Sequence, residues 1–326
     1  MNHSGVGEIP LLEVKGLKKH FNLKQRPNKD KNVLKAVDGV SFSLNKGEAL
    51  GLVGESGCGK STTARAILHL TEPDCGEVYF NGIDLSKLNA EGMRALRKEM
   101  QIIFQDPLAS LNPKRNIRGI LSEPFAIHRI MDEGFREKEI SELLKKTGLS
   151  EQLLDRFPHE FSGGQLQRIG IARALALKPR LIVADEPVSA LDVSIQAQII
   201  NLLSELKENE GIAFLFISHD MGVVQHFCDR VAVMYLGKIV EIAAVESLYA
   251  NALHPYTSAL ISAVPSMDDK IERKTSLIKE EADPYHPRQG CAFQARCPIK
   301  EKICEAETPI LQEVFPGHRV ACHLCE

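Results

Sequence analysis

The sequence predicts an α/β fold organised around a phosphate-binding loop, with a small cysteine-rich extension at its C-terminal end. Three observations predict it. The apolar strand ALGLV runs into a glycine-rich turn at Gly54–Ser61 and then into the helix-like STTARAILHL. Two further short runs, RLIVAD and GIAFLFIS, are apolar on both sides and are separated by the helix-like SIQAQIINLLSELKENEG, the pattern of a buried parallel sheet. Five of the eight cysteines fall within residues 291–326.

With 326 residues the chain exceeds one average domain, so a main body with an appended piece is expected. Apolar residues make up 44% and charged residues 25%, ordinary proportions for a soluble globular protein, and no apolar run is long enough to span a bilayer. The opening MNHSGVGEIPLLEVKG has no basic segment followed by an apolar one. The expected compartment is therefore the reducing cytoplasm, where disulfides are a poor account of clustered cysteines. A net charge of −3 with mixed signs offers no basic face, and no nucleic-acid partner is expected.

In chain order, LLEVKGL, AVDGVSFSL and GEALGLV read as strands, punctuated by Gly39 and Asn45-Lys46-Gly47, with the polar QRPNKDKN as a loop. The helix from Lys60 is followed by the strand GEVYFNG. Residues 108–160 are dominated by helix-compatible stretches such as FREKEISELLKKTGL, with Pro113 and Pro124 as breaks, so a mostly helical insertion is expected. After the two parallel strands comes a hairpin, VAVMYLGKIVEIA, with Gly237-Lys238 at its turn. SALISAV stops at Pro265, and a polar stretch from Met267 to Gly290 leads into the cysteine tail, which starts near 284. The expected division is a main domain over 1–254, with a helical subdomain at about 108–175, and an extension over 255–326.

Gly54, Glu55, Ser56, Gly57, Cys58, Gly59, Lys60 and Ser61 fit G-x-x-x-x-G-K-[ST] in the strand-to-helix context the motif requires. The glycines let successive N–H groups face a phosphate, and the helix N-terminus adds positive potential. Lys60 is expected to reach the β- and γ-phosphates of ATP, Ser61 to hold Mg²⁺, and Thr62 to donate another hydrogen bond. LIVADE places Asp185 at the end of a buried strand as a second magnesium ligand and Glu186 next to it as general base for an in-line water. Ser162, Gly163, Gly164 and Gln165 expose free N–H groups at a second helix start. A chain whose own loop already wraps its phosphates needs no second anion site. Such a site makes sense if it serves another chain's nucleotide, two ATP molecules lying between two subunits related by two-fold symmetry.

This set, together with Gln105 in IIFQDP, FSGGQ at 161–165, ADEP at 184–187, SALD at 189–192 and His219 in ISHD, resembles the nucleotide-binding subunits of ABC transporters over about residues 11–250. The resemblance implies a P-loop ABC ATPase with a RecA-like core, an antiparallel β subdomain and a helical subdomain. Phe161 stands where the commonest signature has leucine, which is similar to the oligopeptide and dipeptide importer subfamily. By position, the resemblance implies that Gln105 contacts Mg²⁺ or the attacking water, that His219 contacts the γ-phosphate and steadies Glu186, and that Asp192 works across the dimer interface. Adenine would stack on an aromatic residue in KKHF, with Phe21 favoured over His20.

HPYTSALISAVP from His254, and the tail entry Gln289-Gly290-Cys291 with Phe293, Arg296 and Cys297, also resemble the peptide-importer branch. Cys291, Cys297, Cys304 and Cys322 can complete a four-thiolate shell for zinc or for an iron–sulfur cluster. Only Cys322-His323-Leu324-Cys325 has the knuckle spacing of a zinc ribbon. The family resemblance tips the expectation to a [4Fe–4S] cluster, with zinc as the alternative and Cys325 left over, in a metal-stabilised appendage. Cys58, Cys75 and Cys228 read as structural, although alkylation of Cys58 would be expected to abolish ATP binding.

The function these features imply is an ATPase subunit that powers import of di- and oligopeptides from the cytoplasmic face of the membrane. The implied partners are transmembrane permease subunits, a second ABC ATPase (a homologous chain or a copy of itself) and, indirectly, an extracytoplasmic peptide-binding protein. The alternative is a soluble ABC ATPase of a non-transport assembly such as phosphonate breakdown. A metal-binding interaction module with a vestigial ATPase fits poorly with the complete catalytic set.

Overall fold

The computed structural model describes residues 9–22, 33–130, 132–263 and 289–325; the polar loop expected at 25–32 and most of the linker expected after Met267 lie outside them, as does the expected start of the tail near 284. The strands are β1 (Leu12–Asn22), β2 (Val33–Leu44), β3 (Ala49–Val53), β4 (Cys75–Phe80), β5 (Ile83–Asp84), β6 (Met100–Ile103), β7 (Leu181–Asp185), β8 (Ala213–Ser218), β9 (Arg230–Tyr235), β10 (Lys238–Ala244), β11 (Gln312–Phe315) and β12 (His318–Val320). The helices are α1 (Lys60–Ile67), α2 (Ala90–Leu96), α3 (Pro107–Ser110), α4 (Ile117–Ile127), α5 (Glu133–Lys146) and α6 (Gly163–Leu175). They continue with α7 (Val193–Glu210), α8 (Met221–Phe227), α9 (Val245–Ala250), α10 (Pro255–Ser262) and α11 (Ile303–Ala306). Two compact units result, one from residues 1–44, 49–86 and 218–326, the other from 45–48 and 87–217.

In the first unit β1, β2, β4 and β5 form an antiparallel sheet in the order β2-β1-β4-β5. β1 runs past LLEVKGL through KKHFN, because Lys18–Asn22 pair with residues 33–38. β3 is buried at every residue and lies parallel to β9, from Leu50 opposite Arg230 to Val53 opposite Val233. That full burial explains why ALGLV shows no alternation. β9 turns into β10 through Leu236 and Gly237, both at positive φ (42° and 81°), and Lys238 is already paired with Tyr235. The turn therefore sits one residue earlier than the expected Gly237-Lys238, since a two-residue loop with positive φ at both positions matches strand twist.

The cysteine tail is part of this unit's sheet. β11 and β12 form a hairpin, and β12 pairs antiparallel with β10 through Glu241 opposite Val320 and Ile242 opposite Arg319. Beneath that join lies Glu241, fully buried, whose carboxylate accepts from the backbone N–H groups of Leu253 (2.7 Å) and His254 (3.0 Å) and lies 2.7 Å from His318 Nε2. One side chain on β10 thus ties the segment before α10 to the tail. His254 Nδ1 accepts from the Tyr256 N–H at 3.1 Å, and burial pushes the His254 pKa down to about 4, so its ring is neutral. Phe293, 1% exposed, packs its ring against Tyr235, Tyr256 and His254 at centroid distances of 5.3, 5.5 and 5.4 Å.

In the second unit β6, β7 and β8 run parallel in the order β8-β7-β6, with β7 and β8 buried throughout. α7 ends on Gly211 at φ 66°, the left-handed cap that glycine adopts without penalty. Pro113 lies in the turn between α3 and α4, but Pro124 does not break its helix: it sits inside α4. A proline there costs about 3 kcal/mol. Burial of Ile117, Ile120, Leu121 and Phe125 on the same helix, about 1.5–3 kcal/mol each, outweighs that cost.

Removing the Glu241 carboxylate leaves two backbone N–H groups and His318 buried with no acceptor. Glu241→Leu is expected to destabilise the first unit by about 3–5 kcal/mol, with Glu241→Gln milder. Chemical denaturation and limited proteolysis of the 289–325 segment read the effect; unchanged stability and protection would rule out this role.

Candidate functional site

The glycine-rich loop at residues 54–61, expected to bind phosphate, is held by backbone contacts that admit no side chain. Gly54 has φ 151°, and a Cβ there would lie 2.2 Å from the Met234 carbonyl oxygen. Gly59 has φ 111°, and its Cβ would lie 2.0 Å from the Ala36 carbonyl oxygen. The loop is pinned between β2 and β9, and Gly237 N–H adds a bond to the Cys58 carbonyl at 2.9 Å. Ser56 and Gly57 are exposed at its crest, while Ser61 and Thr62 in the first turn of α1 are half-buried. α1 starts from Gly59 with no side-chain cap.

Lys60 is 4% exposed, and its ammonium donates to the carbonyl oxygens of Gly54 (2.7 Å) and Glu55 (3.0 Å). The loop's own carbonyls therefore hold the cation close to where phosphate oxygens are expected. Cys58 is likewise buried, and desolvation pushes its thiol pKa up despite the neighbouring Lys60. That burial slows alkylation of Cys58, the modification expected to abolish ATP binding.

Glu55 is anchored twice by residues from the other end of the chain. Its N–H donates to the Tyr256 hydroxyl at 2.9 Å, and its carboxylate accepts both Arg296 Nη groups, at 2.7 and 2.8 Å. The Arg296 guanidinium also lies 5.9 Å from the ring centroids of Tyr235 and Phe293. Its charged form is favoured first by the bonds to Glu55, which push its pKa up. Sequence reasoning gave Arg296 and Tyr256 no role, because no local pattern links residues more than 200 positions apart; their only signal is their place in the tail and HPYTSALISAVP segments.

Phe21, on β1, is 38% exposed with the Lys19 ammonium 5.6 Å from its ring centroid. His20 is engaged instead by Asp38, at 3.1 Å. His219 is exposed immediately after β8.

In the second unit Asp185 ends β7 at 2% exposure, and Glu186 follows it at φ 48°, a left-handed conformation rare for glutamate. Strained backbone of this kind persists where the surroundings over-determine it, and the Glu186 N–H is fixed to the Ile217 carbonyl at 3.0 Å. Gln105 donates its side-chain amide to Glu186 Oε2 at 3.0 Å. Two residues 81 positions apart in sequence, both expected at the reaction centre, thus meet. Ser162 caps α6 reciprocally with Gln165: the Ser162 N–H donates to Gln165 Oε1 (3.1 Å), and Gln165 N–H to Ser162 Oγ (3.4 Å). Gly163 and Gly164 open the helix, and a Cβ at Gly164 would lie 2.6 Å from Ile195 Cγ2. Asp192 is exposed at the start of α7, its carbonyl accepting from Ile195 and Gln196 N–H at 2.9 Å.

The four-thiolate centre expected on Cys291, Cys297, Cys304 and Cys322 is not assembled here. Among the described residues no group of three or more His, Cys, Asp and Glu could hold a metal ion. Cys322 is engaged by Cys325, whose thiol stabilises the Cys322 thiolate and brings its pKa down to about 6, while Cys325 is itself 3.2 Å from the Leu253 carbonyl oxygen. Cys291 still senses Cys304, Cys322 and Cys297; burial first, and then those neighbours, push it up to about 11. The tail is ordered by sheet pairing, Glu241 and Phe293 rather than by a metal alone.

The family model described as ABC transporter matches residues 37–189, and the one described as oligopeptide/dipeptide transporter, C-terminal region, matches residues 240–304. The oligopeptide transport ATP-binding protein AppF of Bacillus subtilis is 51% identical, over 96% of this chain and 97% of its own length. The oligopeptide transport ATP-binding protein OppF of Salmonella typhimurium is 49% identical, over 96% of this chain and 95% of its own. Among solved structures, the ATP-binding cassette MJ0796 in a dimeric post-hydrolysis state bound to ADP and Pi aligns with a TM-score of 0.65 and 29% identity, covering 72% of this chain and 98% of that one.

Thiol labelling checks the buried loop. At neutral pH iodoacetamide is expected to modify exposed Cys75 well before Cys58, with ATP binding intact after the first modification. Peptide mass spectrometry that found Cys58 modified first would contradict the burial described.

Proposed function

This chain belongs to the ATP-binding subunits of ABC transporters, in the oligopeptide and dipeptide branch, and from that premise we propose how it hydrolyses ATP and what that hydrolysis drives. The observation that carries the catalytic reading is the Gln105–Glu186 hydrogen bond beside buried Asp185. It fixes the Glu186 carboxylate beside Asp185, and in this reading that carboxylate takes a proton from water.

ATP enters with its phosphates on the N–H groups of Gly57 to Thr62 and its adenine against Phe21. Lys60 exchanges the Gly54 and Glu55 carbonyls for β- and γ-phosphate oxygens, a short movement for a side chain already stationed there. Ser61, Asp185 and Gln105 offer the hard oxygen donors that suit magnesium, which when bound neutralises charge developing on the phosphates. Glu186 accepts the proton of the attacking water as its oxygen bonds to the γ-phosphorus and the bond to ADP breaks. His219 contacts the γ-phosphate. Ser162 to Gln165 of one chain close on the nucleotide of a second ATPase, with Asp192 at the same interface; that the similar cassette MJ0796 is dimeric supports a pair of ATPases.

ATP closes this head-to-tail pair, hydrolysis reopens it, and the motion drives permease subunits that pass di- and oligopeptides delivered by an extracytoplasmic binding protein. The named activity of AppF and OppF and the match over 240–304 support peptides as cargo. No described helix is long and apolar enough to cross a membrane. In this reading the chain is a peripheral subunit, docked to its permease partners on the cytoplasmic face. Residues 1–254 are the ATPase domain in this reading, with a helical subdomain at about 108–175, and 255–326 the extension.

A metal centre on Cys291, Cys297, Cys304 and Cys322 is a separate part of the proposal. Thiolate chemistry suits an iron–sulfur cluster, with zinc as the alternative, and the four thiols already influence one another. Its assembly requires Cys322 to leave Cys325.

Glu186→Gln is expected to lower steady ATP turnover by about 100-fold or more while ATP binding persists and a closed dimer accumulates. Near-normal turnover would remove Glu186 from the base role. Anaerobic purification followed by iron, sulfide and zinc analysis is expected to find iron and acid-labile sulfide in equal amounts. Zinc without sulfide would select the alternative, and a metal-free chain would refute the centre.

A further inference from the structure

We infer that Arg296 and Tyr256 are positioning residues for the phosphate-binding loop, so that the C-terminal extension takes part in ATP binding by mounting Glu55. The inference rests on the reading of residues 54–61 as the ATP-binding loop.

Glu55 is the second residue of that loop, upstream of Gly57 to Thr62, whose N–H groups the proposed function places on phosphate. Both of its handles are taken by residues beyond position 255: the backbone N–H by the Tyr256 hydroxyl at 2.9 Å, the carboxylate by the two-pronged Arg296 fork at 2.7 and 2.8 Å. Two anchors on one residue fix its position and its orientation. The anchors are themselves rigid. Tyr256 is fully buried, with its ring 4.7 Å from that of Tyr235. The Arg296 side chain is 12% exposed, with Tyr235 and Phe293 near its guanidinium.

The arginine is placed at some cost. Its Nε is buried without a partner, so the surroundings are not arranged to satisfy guanidinium for its own sake. What they do provide is a geometry in which both terminal nitrogens meet the Glu55 carboxylate. The backbone leading into Arg296 is tied down in turn: its own N–H donates to the Phe293 carbonyl at 3.0 Å, and Cys291 N–H donates to the Cys304 carbonyl at 2.8 Å. A loop already held at its entry loses less conformational freedom when it closes on phosphate, and that saving appears as nucleotide affinity.

Affinity for trinitrophenyl-ATP, steady ATPase kinetics and melting temperature, measured on the full chain, test the inference. Arg296→Ala and Glu55→Gln are each expected to weaken ATP binding and raise KM about tenfold, with kcat at saturating ATP changed less than about twofold. The double variant is expected to be no worse than either single one, because both remove the same contact. Arg296→Lys, which keeps the charge but loses the fork, is expected to recover part of the loss. Glu55 is half-exposed, so Glu55→Gln keeps the test alive should Arg296→Ala fail to fold. Parental affinity in a folded Arg296→Ala or Glu55→Gln chain, or a double variant weakened about a hundredfold, would overturn the inference alone. A parent chain that does not bind ATP would sink the reading of the loop and this inference with it.

Discussion

The first unit depends on the close approach of the phosphate-binding loop to two carbonyl oxygens, those of Ala36 and Met234. A Cβ at Gly59 or Gly54 would lie 2.0 or 2.2 Å from them, well inside contact distance, so the loop can reach its curled shape only as bare backbone. β2 and β9, which carry those carbonyls, are in turn set by their neighbours, β1 and the fully buried β3. The anion-binding geometry is thus a consequence of strand packing, and Lys60 can be buried against its own loop because the carbonyls of Gly54 and Glu55 are turned toward it.

Polar residues in apolar surroundings do the same work in the tail. Glu241 has no exposed surface, and burying its carboxylate would be unfavourable without donors; it has two backbone N–H groups and faces His318. Those groups come from different stretches of chain, so satisfying one carboxylate requires the segment before α10 and strand β12 to arrive together. His254, neutral and capping α10 through Nδ1, and Phe293 against Tyr235 and Tyr256 complete the join.

What was legible in the sequence follows the range of the forces involved. The loop at 54–61, the parallel strands at 181–185 and 213–218 and the capping box at Ser162–Gln165 are written in consecutive residues, and each falls where its local pattern places it. Pro124 and the turn at Leu236–Gly237 were misread because tertiary burial and strand twist overrode a local rule. The strand HRV at 318–320 is too short to carry a period; pairing with β10 makes it a strand. For the same reason the tail's cysteines suggested metal as its source of order, while the contacts that order it, Glu241 with His318 and Phe293 with Tyr235, join residues far apart in sequence. The meeting of Gln105 with Glu186 was legible only through a resemblance, since nothing local connects them.

The Glu55–Arg296 pair shows why stability is the wrong measure of such a contact. Glu55 keeps 41% of its side-chain surface exposed, and ion pairs open to water contribute about 1 kcal/mol or less to folding. A pair of that strength does not explain why a guanidinium with a buried, unpartnered Nε is held beside Tyr235 and Phe293. Direction explains it better. A carboxylate gripped by both oxygens has one orientation, the Tyr256 hydroxyl fixes the backbone of the same residue, and together they define where the loop departs from β3. The extension and the proposed ATP site are on this argument one mechanical piece, in which the residues that order the tail also set the starting point of the glycine-rich loop.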